Sequence, residues 1–170
     1  MSSLSFMATM NDSDYEEETM DSAPILICYD GSEGARRAIA AAAALLGSRR
    51  AVVLDIGPLL TPAESVASVA SVVPGTAFED LNSADALTRA KDGVEWARRA
   101  GFEAVPRSGI SAPIWEGIVD VADELDVPVI VIGSRGLTGG RELVEGSVSH
   151  DVVRHAGRPV LIVPPPHDEE

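Results

Sequence analysis

The stretch Pro128–Ser147, PVIVIGSRGLTGGRELVEGS, constrains the fold more than any other part of the chain. Val129, Ile130, Val131 and Ile132 form an unbroken β-branched run, the pattern of a central parallel strand covered on both faces. Gly133 ends that run. Gly136 follows after two residues, and nine more separate it from Gly146 and Ser147, which open the next helix. Glycines let a backbone approach a ligand with no Cβ in the way, and a helix N-terminus offers an anion unpaired N–H donors and a positive dipole end. The spacing therefore points to a phosphate-bearing ligand.

A strand buried on both faces needs helices to cover it, and the rest of the chain supplies them in alternation with further strands. Ile25–Tyr29 reads as strand one, followed by Asp30, Gly31 and Ser32, with Ser32 placed to cap a helix. That helix carries Ala35, Ala38, Ile39, Ala42, Leu45 and Leu46 at helical spacing until Gly47. Ala51–Ile56 reads as strand two, ended by Gly57 and Pro58. The pattern weakens from Leu59 to Ser83, where 64–73 is a candidate short helix.

A clearer helix spans Ala84–Ala100, with Leu87, Ala90, Val94 and Ala97 as its buried line and Trp96 covering the edge of that packing. Phe102–Arg107 is a short strand of mixed polarity containing Pro106, which has no N–H for a ladder and so belongs at a sheet edge. Ser111 and Pro113 introduce a helix with Ile114, Ile118, Val121, Ala122 and Leu125 facing inward. After Ser147, the inner positions of the last helix are Val148, Val152, Val153 and Ala156. Gly157 stops it, and Pro159–Val163 is strand five.

Five strands alternating with helices give an α/β fold, a doubly wound five-stranded parallel sheet with helices on both faces. With strand three at the edge, the strand order is 3-2-1-4-5. Its direction reverses between strands one and four, and ligands of open α/β sheets bind beyond the carboxyl ends of the strands at such a point. Asp30 and Gly133 lie at those two ends.

Charge narrows the function classes. The formal net charge is -14, but nine of the 27 acids lie in the terminal stretches, at Asp12, Asp14, Glu16–Glu18, Asp21 and Asp168–Glu170. The remainder of the chain is only mildly acidic and has no basic stripe to neutralise a nucleic-acid backbone. Residues 1–23 read as a disordered acidic tail, 24–165 as the folded domain and 166–170 as a second acidic tail. No apolar run approaches the ~20 residues of a membrane-spanning helix, and the N-terminus lacks a signal-peptide pattern. A cytoplasmic location is the expectation. The single cysteine, Cys28, lies inside strand one and reads as a small buried hydrophobe. His150 and His155 are five apart and share no helix face, so no metal site is expected from them.

Three phosphate signatures fail on this chain. A Walker loop needs a Lys after its last glycine, where Ser147 stands. The dinucleotide fingerprint belongs after strand one, where the chain has Asp30, Gly31, Ser32 and Glu33. A phosphoacceptor receiver needs clustered acids and a Lys, and Asp30 is alone. The motif of Gly133, Gly136, Gly146 and Ser147, the turn Asp30–Ser32 and the ending GSVSHDVVRHAGRPVLIVP together resemble the universal stress protein family, over roughly 23–165.

The resemblance implies an α/β fold that often dimerises and, in members keeping this glycine motif, binds ATP. AMP and cyclic AMP are the alternatives, and Mg2+ or Mn2+ would be held mainly by the phosphates. By position, Gly133 and Gly136 would approach ribose and phosphate, and Gly146 and Ser147 would bind phosphates, with Arg135 and Val148 flanking them. Asp30, with Gly31 and Ser32, would lie beside the nucleotide, and Asp55 and Ile56 would flank adenine. Glu145, just before Gly146, would repel phosphates unless its side chain points away, with Arg135 and Arg141 as offsets. No nucleophile and base pair stands out. The resemblance leaves room for at most slow ATP hydrolysis or self-phosphorylation on Ser147 or Ser149. An alternative reading rests on strand five, where residues 160–163 would pair with a second copy across a two-fold axis. The chain would then be a dimeric interaction module with a vestigial glycine loop.

Overall fold

Alternating apolar runs and amphipathic stretches become, in chain order, β1 (Ile25–Cys28), α1 (Glu33–Leu46), β2 (Arg50–Pro58), α2 (Gly75–Arg99), β3 (Glu103–Ser111), α3 (Ile114–Glu124), β4 (Ile130–Gly133), α4 (Val148–His155) and β5 (Val160–Val163). The structure is a computed structural model and describes residues 23–58, 75–134 and 148–166, with the backbone alone for 75–83. The expected acidic tail and the candidate helix at 64–73 lie outside the described residues.

All strand pairs are parallel and the order is β3-β2-β1-β4-β5, as the sequence pattern requires. Because each strand alternates its side chains between faces, the sheet has two cores. On one face Ile25, Ile27, Tyr29, Val53 and Val131 pack under α1 and α2, with Ala38, Ile39, Ala42, Val94 and Ala97. On the other, Leu26, Cys28, Val52, Leu54, Ile130 and Ile132 pack under α3 and α4, with Ile118, Ala122 and Val152. The unbroken apolar runs of β1 and β4 follow from this double burial.

Several boundaries differ from the sequence reading. Strand two does not stop at Gly57 and Pro58; both remain in β2, opposite Ile110 and Ser111 of a β3 that runs well past Arg107. A neighbouring strand has here overridden two local turn signals. Pro106 is accommodated because β3 is an edge strand. Helix α2 begins at Gly75 rather than Ala84, with Ala86 at its buried line and Leu87 only half-buried. Leu45 and Val153 were expected inside and are 68% and 49% exposed. Each sits beside an apolar residue, Leu46 or Val152, and a helix turns 100° per residue, so only one of each pair faces the core. In both cases the neighbour is the one that packs inward.

Helix α2 lies close against the sheet at Gly93. A Cβ there would come within 2.7 Å of the Tyr29 ring and 2.8 Å of Val53 Cγ1. Both neighbours are buried side chains, Tyr29 just beyond β1 and Val53 within β2, and neither has free space to move into. Gly93→Ala should therefore destabilise the protein: overpacking costs about 1–3 kcal/mol, against roughly 1 kcal/mol of better helix propensity. Urea unfolding should show a lower midpoint with an unchanged slope.

Candidate functional site

Register shows how the carboxyl edge is built. Cys28 pairs with Leu54, and Ile27 with Val131, so Tyr29, Asp55 and Gly133 stand at one level across the three central strands. β1 and β4 finish at about that level, while β2 and β3 run on to Pro58 and Ser111. The edge is stepped, with its low part over β1 and β4 where the strand order reverses.

The turn after β1 is fixed by its own polar atoms. Asp30 Oδ1 accepts from the Ser32 backbone N–H at 2.9 Å, and Ser32 Oγ accepts from Ala35 N–H at 3.1 Å as the N-cap of α1. Gly31 sits between them at φ +82°, a conformation that strains other residues. The first turn of α1 is thereby set over the switch point. It lies so close to β4 that a Cβ on Gly133 would be 2.8 Å from the Gly34 carbonyl group. Gly133 is thus required by helix packing, whatever approaches from outside.

Asp55 is the buried charge of this edge, 4% exposed, and among the described residues its partner is Arg89 of α2, which donates from Nε. Burial raises the Asp55 carboxyl above its usual value; the Arg89 hydrogen bond and charge oppose that rise, and the negative charge of Asp30 adds to it. The Arg89 side chain also crosses the β1–α1 turn, its Cδ 3.7 Å from where a Cβ on Gly31 would be. Next to it, Tyr29 donates to Asp92 and accepts from Arg36 Nε at 3.4 Å, and burial raises the phenol above its usual value. Trp96 lies under the Arg36 and Arg99 guanidinium groups at 5.0 and 5.6 Å, covering the α1–α2 edge as expected. Cys28 is inert: burial, with the charges of Asp30 and Asp55 behind it, pushes its thiol up to about 12.

Asp30, Gly31, Ser32, Asp55 and Gly133 therefore come together at one end of the sheet. Asp55 is not at the end of its strand, since β2 continues three residues beyond it, and Ile56 turns to the α3–α4 face. Val148 begins α4 and packs on that same face. Arg135, Gly136, Gly146 and Ser147 lie outside the described residues, as do Arg141 and Glu145. Arg89 was missed by the sequence reading, although a signal existed. It stands three residues after Ala86 and four before Gly93, on a stripe that is otherwise small and buried. An arginine on an inward stripe needs a buried acid to meet it.

The family comparison agrees with this geometry. The model of the universal stress protein family matches residues 22–164. The universal stress protein YxiE of Bacillus subtilis is 31% identical over 147 residues, covering 82% of this chain and 97% of that protein. The chain belongs to the universal stress protein family. Among solved structures, MJ0577 of Methanocaldococcus jannaschii superposes with a TM-score of 0.69 at 23% identity, over 87% of this chain and 99% of that one. A universal stress protein from Archaeoglobus fulgidus gives 0.60 at 27% identity, over 82% and 97%. The A. fulgidus universal stress protein in complex with dAMP gives 0.54 at 25%, over 84% and 98%.

The raised Asp55 carboxyl fixes a pH dependence. A group that holds its proton more tightly folded than unfolded stabilises the fold below its unfolded pKa, and that contribution is lost as pH rises through the folded pKa. For Asp55 the loss begins near the ordinary carboxyl value of 3.8 and is complete above its raised value. Asp55→Asn carries no such titration. The stability of Asp55→Asn relative to the parent should therefore rise as pH increases through the carboxylate range and then level off, measured by urea unfolding at stepped pH.

Proposed function

We propose that this protein binds an adenine nucleotide, ATP by preference, at the low part of the carboxyl edge, and acts as a nucleotide-responsive regulator with little or no turnover. The observation that carries the reading is the convergence of Asp30, Gly31, Ser32 and Gly133 on the switch point between β1 and β4. The glycine motif in the sequence leads away from that same point. A relative of the same family, the A. fulgidus protein, was solved with dAMP, which supports an adenine nucleotide as the ligand class.

The residues suit such a ligand. The edge carries no bulky side chain at 31, 32 or 133, so backbone N–H groups of the β1–α1 turn are not screened from a ligand by large neighbours in sequence. Asp30, Gly31 and Ser32 are assigned to the ribose side, Asp55 and Ile56 to the adenine side, and Gly133, Arg135, Gly136, Gly146, Ser147 and Val148 to the phosphates. A bound Mg2+ or Mn2+ would be held mainly by the phosphates and would offset their repulsion by Asp30 and Asp55. Nucleotide occupancy then biases conformation or assembly by its differential affinity for two states. Among the described residues no helix is long and apolar enough to cross a membrane, in keeping with a cytoplasmic site of action.

A second copy of the chain is the proposed partner. β5 pairs with β4 on one side only, and Ile162 is 37% exposed along it. An apolar edge of this kind is an aggregation hazard unless covered, and pairing residues 160–163 with their symmetry mate removes it. The dimeric module without nucleotide remains the competing reading, because this edge alone would support it.

Thermal unfolding of nucleotide-stripped protein separates the two. At a hundred times the dissociation constant, bound Mg-ATP should add ~2.7 kcal/mol, a rise of a few degrees for a domain of this size. GTP should give less. Gly146→Val should remove the rise while leaving the mass in solution that of a dimer. No rise at millimolar ATP would favour the interaction module.

A further inference from the structure

The Arg89–Asp55 pair differs in setting from the other ion pairs of the described chain. Arg107–Glu124 is a surface pair, Arg36–Glu33 and Arg98–Glu95 are neighbours along a helix, and Arg158 with Asp123 ties the β5 entry to the end of α3. Of these pairs only Arg89–Asp55 holds its guanidinium on an acid that is 4% exposed, and that acid lies at the carboxyl edge. The hold uses only Nε. Among the described residues no acceptor meets the terminal nitrogens of Arg89, and its side chain keeps 36% of its exposure. A guanidinium fixed at one nitrogen and open at two is oriented for a further acceptor or a flat partner.

We infer that Arg89 is a ligand-contacting residue that grips the nucleoside part of the bound nucleotide, and that Asp55 is its positioning residue. The inference rests on the nucleotide reading above and adds to it a residue and a contact. Location decides which part of the ligand is met. Arg89 stands on the β2 side of β1, across the Asp30–Ser32 turn, whereas the glycine motif leaves β4 on the opposite side of β1. A nucleotide whose phosphates lie toward β4 places its base and ribose toward β2. There the terminal N–H groups of Arg89 donate to ring nitrogens or ribose oxygens, and the guanidinium plane offers a stacking surface to the purine.

Calorimetric titration of the full chain with Mg-ATP, ADP and AMP tests this. Arg89→Gln should weaken all three by one common factor of roughly tenfold or more, the usual worth of a hydrogen bond to a charged group. A loss that shrinks as phosphates are removed would mean that Arg89 grips phosphate, and no loss would mean that it is only a brace between α2 and β2; either overturns the inference. If Arg89→Gln fails to fold, Arg89→Lys keeps the charge opposite Asp55, removes the planar fork and serves the same comparison. Asp55→Asn should also weaken binding, and should add nothing in the Arg89→Gln background if it acts through Arg89; additive losses would overturn its positioning role. Failure of the parent protein to bind any of the three nucleotides would instead overturn the nucleotide reading, and this inference with it.

Discussion

The contact between the first turn of α1 and the end of β4 sets most of what lies at the carboxyl edge. Gly34 and Gly133 meet backbone to backbone, with no room for a Cβ between them. Two consequences follow from that closeness. The N-terminus of α1, with its N-cap Ser32, is held directly over the point where strand order reverses, and the Asp30–Ser32 turn is folded back tightly enough to need Gly31 at positive φ. The site is therefore not an addition to the sheet. It is what remains at the sheet edge when a helix is packed this closely on a parallel strand.

Such packing has an electrostatic cost, which the Arg89–Asp55 pair partly offsets. Asp55 is removed from water at the level where β1 and β4 end, and Asp30 is near enough to raise its carboxyl further. Two acids at the mouth of the proposed nucleotide site work against a bound anion. The pair turns one of them into the anchor of a cation, so that the charge offered to the proposed ligand on the β2 side is positive. A well-packed apolar pair would serve stability as well or better, since buried ion pairs seldom gain on their desolvation. The placement is easier to understand as orientation of the arginine than as reinforcement of the fold.

Much of the fold was legible because its strongest signals were also its most local ones. The apolar runs of β1 and β4, the N-cap Ser32 and the stops at Gly47 and Gly157 each depend on a few neighbouring residues, and each holds in the structure. Two of the misreadings came where a distant partner decided the outcome. Gly57 and Pro58 read as a strand end, yet β3 continues beside them and keeps them extended. Leu45 and Val153 read as core, yet each lost its place to an adjacent residue with the better angle. Arg89 was missed for the reason that hid the extension of β2, since the acid that gives it meaning is 34 positions away.

The same distinction bears on how function is read from this family's fold. A glycine motif is a local signal, and it identifies where phosphates can approach. It does not identify what would face the base, because in the proposed complex that wall comes from β2 and α2, which lie outside the motif. Tyr29 and Gly93 show how firmly that wall is seated: the Tyr29 ring fills the space a side chain at 93 would need, and its hydroxyl is tied to Asp92 one residue earlier on the same helix. Helix α2 is thus fixed in height above the sheet one turn beyond Arg89. With the helix fixed there and the guanidinium fixed on Asp55, little freedom is left to the arginine. In the proposed nucleotide complex, the contact that Arg89 makes with the nucleoside end is therefore set by rigid placement of the guanidinium on Asp55.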